Sequence, residues 1–215
     1  MASEGLAVAE GVECPALYSR GRGAGVLFLH GYSFDRRIWS SLGFTRLVEG
    51  LGHPLAAPDM PYGRRTGCTR RTRSVEVNTA IALDALERLA RARPPAAVVG
   101  ASLGGRYAVY LAAAGAAGAL VLAAPALGGD ERAWSLLRGL RGRLRCACVI
   151  WGDRDRVVGE DEAREAARLL GADLTVVEGA GHVVYRDSPD TLAAAVRRAL
   201  SALAPPGGPE GGHGG

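Results

Sequence analysis

The sequence predicts an α/β protein built on a mostly parallel, doubly wound sheet, and three observations carry that expectation. Short apolar runs recur at GVLFLH (25–30), PLAAPDM (54–60), AAVVG (96–100), AGALVLAAP (117–125), CACVIWG (146–152) and DLTVVEG (173–179). Stretches with helical periodicity separate them, so a strand-helix unit repeats six times. The strands are apolar at nearly every position, which requires cover on both faces, and helices on both sides of a parallel sheet provide it.

Two strand-like runs at the start, LAVAE (6–10) and ECPALYS (13–19), are separated by Gly11 and read as an antiparallel hairpin, bringing the sheet to about eight strands. The strand over 25–30 leads into a helix over 38–50. The strand over 54–60 leads into an arginine-rich loop and an amphipathic helix from Ser74 to about Ala92, which Pro94 ends. Further helices are expected over 103–114, 131–140, 161–170 and 188–204, completing a single domain over 1–204. The tail PPGGPEGGHGG (205–215) has nothing apolar to bury and is expected to be disordered, His213 with it.

Composition narrows the chemistry. With 215 residues, 48% hydrophobic and 22% charged, the chain suits one globular domain with a sizeable core. It has no apolar run of about 18 residues, and MASEGLAVAEG lacks a basic-then-apolar layout, so a cytoplasmic protein with no membrane span is expected. All 26 basic residues are arginine, there is no lysine or glutamine, and Asn78 is the only asparagine. Schiff-base chemistry, a pyridoxal-phosphate anchor and a phosphate-loop lysine are thereby excluded. The loss of side-chain amides fits a thermophile-like composition and fits a genomic base bias equally. The net charge of +4 is spread over arginines interleaved with acids, so no nucleic-acid partner is expected. One run differs: Arg64, Arg65, Arg70, Arg71 and Arg73 occur together without an acid. The four cysteines contain no CxxC pair, which argues against a zinc ribbon. Cys146 and Cys148 share one face of a strand as small apolar residues, while Cys14 and Cys68 could pair, a point their spacing leaves open.

The segment AAVVGASLGGRYAVYLAAA turns a buried strand directly into a helix through Gly100-Ala101-Ser102-Leu103-Gly104. Such a turn strains its middle residue and needs small neighbours, and it projects Ser102 at the carboxyl edge of the sheet beside a helix amino terminus. The N–H of Leu103 is then placed to stabilise an oxyanion, and the N–H of Tyr32, after the first parallel strand, faces the same edge. A serine hydroxyl needs a base to take its proton. His182, in the loop GAGH after the last strand, lies at that edge; His53 precedes its strand and lies at the other; His30 braces the loop it begins. The loop WGDRDRVVG offers Asp153 and Asp155 as the carboxylate that orients the imidazole. An aspartate directly after Gly152 commonly bonds its own turn, whereas Asp155 has two valines behind it to fix the loop.

From about Val26 to Leu203, through LHG, DMPYG, GASLGG, WGDRDRVV and GAGH, the sequence resembles the α/β-hydrolase family. Within it, LHGYSF and GAGHVVYRDSPDTL look most like the small lidless transcription-factor-interacting hydrolases of the hydrolase-domain-containing fourteen type. The resemblance implies an α/β-hydrolase fold, Ser102 as nucleophile, His182 as base, Asp155 as acid, and backbone donors at Tyr32 and Leu103. Arg156 departs from the proline common after the acid, and DMPYGRRTG lacks the usual Gly-x-Gly-x-Ser. Only Ala124 to Arg145 is free to form a lid, so an open site for short acyl esters or thioesters is expected, with no cofactor or metal in either step. An acyltransferase to a thiol or amine, or an interaction module that keeps the fold, are the alternatives. The five arginines follow a strand's carboxyl end and are expected at the mouth of the site, where they either favour a small-molecule acyl substrate that is anionic or form a solvated loop.

Overall fold

The computed structural model describes residues 1–89 and 96–205. β1 (Ser3–Ala9) and β2 (Val12–Tyr18) form the antiparallel hairpin, and β2 pairs antiparallel with β4 (Leu55–Pro58). The remaining pairs are parallel and join β3 (Val26–Leu29), β4, β5 (Ala96–Ala101), β6 (Ala117–Ala123), β7 (Cys146–Gly152) and β8 (Asp173–Val177). The spatial order is β1-β2-β4-β3-β5-β6-β7-β8. From β3 the chain moves one way, to β4; from its neighbour β5 it moves the other way, to β6. The loops leaving β3 and β5 therefore part and open a crevice at the carboxyl edge, where ligands of open α/β sheets bind. Register brings the strand ends level: Leu29 lies opposite Gly100, Ala101 opposite Ala123, Ala123 opposite Ile150, and Gly152 opposite Val177.

The sheet is covered on both faces, and the alternation along each strand decides which side chain goes where. Leu27, Leu29, Val98, Leu120, Leu122 and Val149 point to one face. They meet α3 (Val75–Leu89), α4 (Leu103–Ala113), α5 (Glu131–Gly139) and α6 (Glu160–Leu170). Val26, Phe28, Val99, Val121 and Ile150 point to the other. They meet α1 (Arg37–Ser41), α2 (Phe44–Gly50), α7 (Val184–Asp187) and α8 (Pro189–Leu203). Full burial of one such aliphatic side chain is worth about 1.5–3 kcal/mol, so both layers stabilise the sheet.

Three details depart from the sequence reading. The helix expected over 38–50 is two, α1 and α2, because Gly43 takes a left-handed φ of 83° between them. Trp39 and Phe44 are both buried across that break, so the apolar spacing reads as continuous although the backbone is not. β8 is an edge strand with Val176 exposed, and none of its side chains is fully buried. α7 is a single turn that no periodicity announces. The expected stop of α3 at Pro94 and the glycine-rich tail with His213 lie outside the described residues.

Between Ala124 and Arg145 the chain forms only α5, and among the described residues no large lid stands over the sheet edge. Cys14 and Cys68 form a disulfide that ties β2 to the arginine-rich loop. Cys146 and Cys148 share the α8 face with their sulfurs 3.8 Å apart. Burial pushes the Cys148 thiol up to about 11, which leaves it protonated and unreactive at neutral pH. Among the described residues no helix is long and apolar enough to cross a membrane.

The closest helix-to-sheet approach is at Gly104, where a methyl group would run into the backbone carbonyls of Leu29 and His30. Gly104→Ala is expected to cost about 1–3 kcal/mol by overpacking, read as a lower thermal midpoint. Gly139→Ala, in helix and facing open space, should leave the midpoint unchanged or raise it. Equal midpoints for the two variants would refute the packing argument.

Candidate active site

Ser102 joins β5 to α4 with φ 52° and ψ −119°, a conformation that costs a non-glycine residue about 1–3 kcal/mol. Three backbone hydrogen bonds hold it there. Its N–H donates to Ala123 O at 2.9 Å, and its carbonyl accepts from Gly105 N at 2.9 Å and Ala126 N at 3.0 Å. Gly100 and Gly104 permit the turn, since a Cβ on Gly100 would lie 2.5 Å from Gly104 O. The hydroxyl consequently stands clear of the sheet edge.

His182 reaches it from the loop after β8, with Nε2 at 2.8 Å from Ser102 Oγ and Nδ1 at 2.8 Å from Asp155 Oδ2. An ionised carboxylate only accepts, so Nδ1 carries the proton and Nε2 is free to accept from the serine hydroxyl. The Asp155 side chain is fully covered, and its other oxygen accepts from the N–H groups of Val157 (2.7 Å) and Val158 (3.0 Å). Val158 packs against Trp151 and Ala163 while Val157 stays exposed, so one of the two expected valines anchors the loop. Asp153 is bound to Gly179 N–H at 2.7 Å and not within its own turn. It links the loop after β7 to that after β8, as does Arg154 N–H to Ala180 O at 2.9 Å. Gly152 lets these loops touch, because a Cβ there would overlap Ala180 and Gly181. Asp187, in α7, adds a brace by accepting from Gly181 N–H at 2.9 Å. In this order the imidazole can take the hydroxyl proton at Nε2 while the buried carboxylate holds Nδ1–H and stabilises the imidazolium.

The loop after β3 passes close over the serine: a Cβ on Gly31 would be 3.3 Å from Ser102 Cβ. Among the described residues the N–H groups of Tyr32 and Leu103 donate to no other protein group. His30 anchors this loop from below. It is fully buried, accepts from Met60 N–H through Nε2 at 2.9 Å, and therefore donates from Nδ1 to Gly31 O at 2.8 Å. Tyr62 donates to His30 O at 2.6 Å. Arg36 and Asp59 complete the support: Asp59, 1% exposed, accepts from Arg36 N–H at 2.8 Å, its guanidinium at 3.0 Å, and Gly67 N–H at 2.7 Å. Sequence reasoning did not single out Arg36, Asp59, Asp187 or Asn78 for this work. For Asp59 a signal existed, an acid closing an apolar run at the sheet's carboxyl edge.

The five arginines of the loop after β4 are all exposed, and none lies within salt-bridge distance of a carboxylate among the described residues. Arg64 N–H donates to Tyr32 O at 2.7 Å, and the Arg73 guanidinium sits 5.6 Å from the centre of the Tyr32 ring. His53 lies at the other end of the sheet against Ala24 O. Among the described residues no group of three or more His, Cys, Asp or Glu side chains is arranged to hold a metal. A recess of about 1040 Å³ lined by Ser3, Tyr18 and Arg88 does not include Ser102 and contains none of these groups.

Comparison with known proteins agrees with this geometry at the level of fold. A model of the Alpha/beta hydrolase family matches residues 26–145, more than half of the chain, ending before Asp155 and His182. Among solved structures, a predicted CIB-like hydrolase from Thermoplasma acidophilum superposes with a TM-score of 0.76 at 21% identity, covering 94% of this chain and 98% of that one. The Pyrococcus furiosus esterase Pf2001 gives 0.75 at 17% identity, with 94% and 93% covered. The thioesterase domain from the curacin biosynthetic pathway gives 0.71 at 13%, with 92% and 99% covered. Among curated proteins none matches the chain significantly.

Burial lowers the pKa of His30 from its ordinary 6.5, so the folded protein holds it neutral. As pH falls below about 6.5 the unfolded chain takes up this proton and the folded chain does not, so stability falls until the lowered folded value is reached. The urea midpoint is expected to drop over that window more steeply for the native protein than for His30→Gln. Parallel pH profiles would show that His30 does not titrate this way.

Proposed function

The chain belongs to the alpha/beta hydrolase family, and from that premise we propose that it is a serine hydrolase acting on short-chain or small acyl esters or thioesters. What carries the reading is the hydrogen-bonded series Asp155, His182, Ser102, with both links at 2.8 Å. His182 Nε2 takes the hydroxyl proton as Ser102 Oγ attacks the substrate carbonyl, and Asp155 stabilises the imidazolium. The carbonyl oxygen, now an anion, faces the N–H groups of Tyr32 and Leu103. Collapse expels the alcohol or thiol, which takes the proton from His182, and leaves an acyl group on Ser102. Water then enters, His182 removes its proton, and the acid departs with Ser102 restored. None of these steps calls for a cofactor.

The absence of a large lid supports a small acyl group, because little apolar wall rises above Ser102 to bury a long chain. Phe34 and Val183, near Tyr32 and His182 in the chain, are partly exposed and pack against the same apolar cluster. The small lidless transcription-factor-interacting hydrolases remain the subgroup we propose, on LHGYSF and GAGHVVYRDSPDTL.

Ser102→Ala is expected to lower kcat for a short-chain aryl ester by ~10⁴ or more and to abolish labelling by a fluorophosphonate, with thermal melting unchanged. Activity within a few-fold of native would remove Ser102 from the chemistry. Labelling without net hydrolysis, relieved by an added thiol or amine, would identify an acyltransferase.

Asp155→Asn should cut kcat by about 10³–10⁴ near neutral pH, since the amide no longer holds the reactive tautomer. Asp153→Asn should cost far less, because Gly179 retains an acceptor. A severe loss confined to Asp153→Asn would reverse the roles.

A further inference from the structure

The arginine-rich loop is held quite differently at its two ends. Residues 67–69 are fastened to β2, by the Cys14–Cys68 disulfide and by the hydrogen bonds Thr69 N–H to Glu13 O (2.9 Å) and Glu13 N–H to Thr69 Oγ1 (3.0 Å). Residues 71–73 are fastened to the interior below the site. Thr72 N–H donates to Pro61 O at 3.1 Å, and the Tyr107 hydroxyl donates to Arg73 O at 3.2 Å.

Asn78 is the centre of this second attachment. The only asparagine in the chain is fully buried on α3. Its Nδ2 donates to Thr72 O at 3.0 Å and Ser74 O at 2.7 Å, and its Oδ1 accepts from Tyr62 N–H at 3.1 Å. A buried amide satisfied on both sides is costly to misplace, so it sets the backbone that carries Arg71 and Arg73 against Tyr62. Tyr62 in turn bonds to His30 O at the base of the Tyr32 loop. The two arginines are thus tied to the loop that crosses Ser102.

Arg71 and Arg73, with Pro61, Tyr62 and Thr72, line a recess of about 200 Å³. The Arg73 guanidinium sits 5.6 Å from the centre of the Tyr32 ring, and the two arginines, Arg71 above all, hold the Tyr32 phenol below the usual range. Neither has a carboxylate partner among the described residues. Each guanidinium carries five donors, and one neutral phenol leaves most of them for a ligand. Resting on the serine hydrolase reading above, we propose that Arg71 and Arg73 clamp a carboxylate of the substrate while its ester or thioester carbonyl meets Ser102. A planar carboxylate matches the fork of a guanidinium, which accounts for paired arginines better than a diffuse positive field does.

The test compares kcat/KM for charged substrates with that for neutral isosteres at low salt. An aryl adipate half-ester against the aryl hexanoate places the charge on the acyl side. Para-acetoxybenzoate against para-acetoxybenzamide places it on the leaving group. A preference of about tenfold or more in one pair is expected, the size of a charge-assisted contact, and added salt should shrink it. Arg71→Gln/Arg73→Gln should bring that ratio near one while thermal melting is retained, and Arg65→Gln/Arg70→Gln should leave it at the native value. A ratio near one in both pairs, or a preference that survives Arg71→Gln/Arg73→Gln, overturns the clamp while leaving the hydrolase reading intact. Absence of fluorophosphonate labelling and of turnover of every ester overturns the hydrolase reading, and the clamp with it.

Discussion

The turn from β5 into α4 is the constraint on which the rest of the molecule depends. For Ser102 to stand at positive φ, the first turn of α4 must lie almost on the sheet, and only glycine at 100 and 104 leaves room for that. The strain is not relieved locally. It is held by the hydrogen bond that Ser102 N–H donates to Ala123 O and by those its carbonyl accepts from Gly105 and Ala126, so the strand and loop beyond β5 are part of the same device. With α4 seated this closely, the carbonyls of Leu29 and His30 lie against Gly104, and the loop after β3 is drawn over the serine.

Around that turn the other loops are positioned by polar groups that the protein buries. His30 holds the carbonyl of Gly31, Asp59 joins Arg36 to Gly67, Asn78 joins Tyr62 to Thr72, and Asp187 holds Gly181. Each is satisfied at two or more bonds or sits beside solvent, as a buried polar group must be if it is to order a loop without destabilising the fold. A loop edge so braced keeps Ser102, His182 and Asp155 in their hydrogen-bonded arrangement without help from a ligand.

The strands, their order along the chain and both covered faces were legible in the sequence, because period-two and period-3.6 patterns follow directly from burial. Ser102, His182 and the competition between Asp153 and Asp155 were legible too, since each follows a strand and the carboxyl edge is common to all. The break at Gly43 was hidden by Trp39 and Phe44, whose spacing satisfies one helix or two. β8 read as fully buried because Val176 and Val177 are apolar, although its edge position leaves Val176 in solvent. Arg36, Asp187 and Asn78 resemble ordinary surface or helix residues in the sequence, and only their distant partners distinguish them.

The sequence by itself determined the α/β class, the parallel sheet, the strained turn at Ser102 and the edge at which chemistry is gathered, because these follow from local backbone preferences and from which side chains avoid water. Tertiary structure alone decided that Asp153 ties its loop to Gly179, that Cys14 bonds to Cys68, and that Arg73 lies over the Tyr32 ring while Arg64 is held to Tyr32 by its backbone. Those choices depend on distances between segments tens of residues apart. A hydrogen bond or a disulfide is sensitive to a few tenths of an ångström, and spacing along a chain carries no information on that scale.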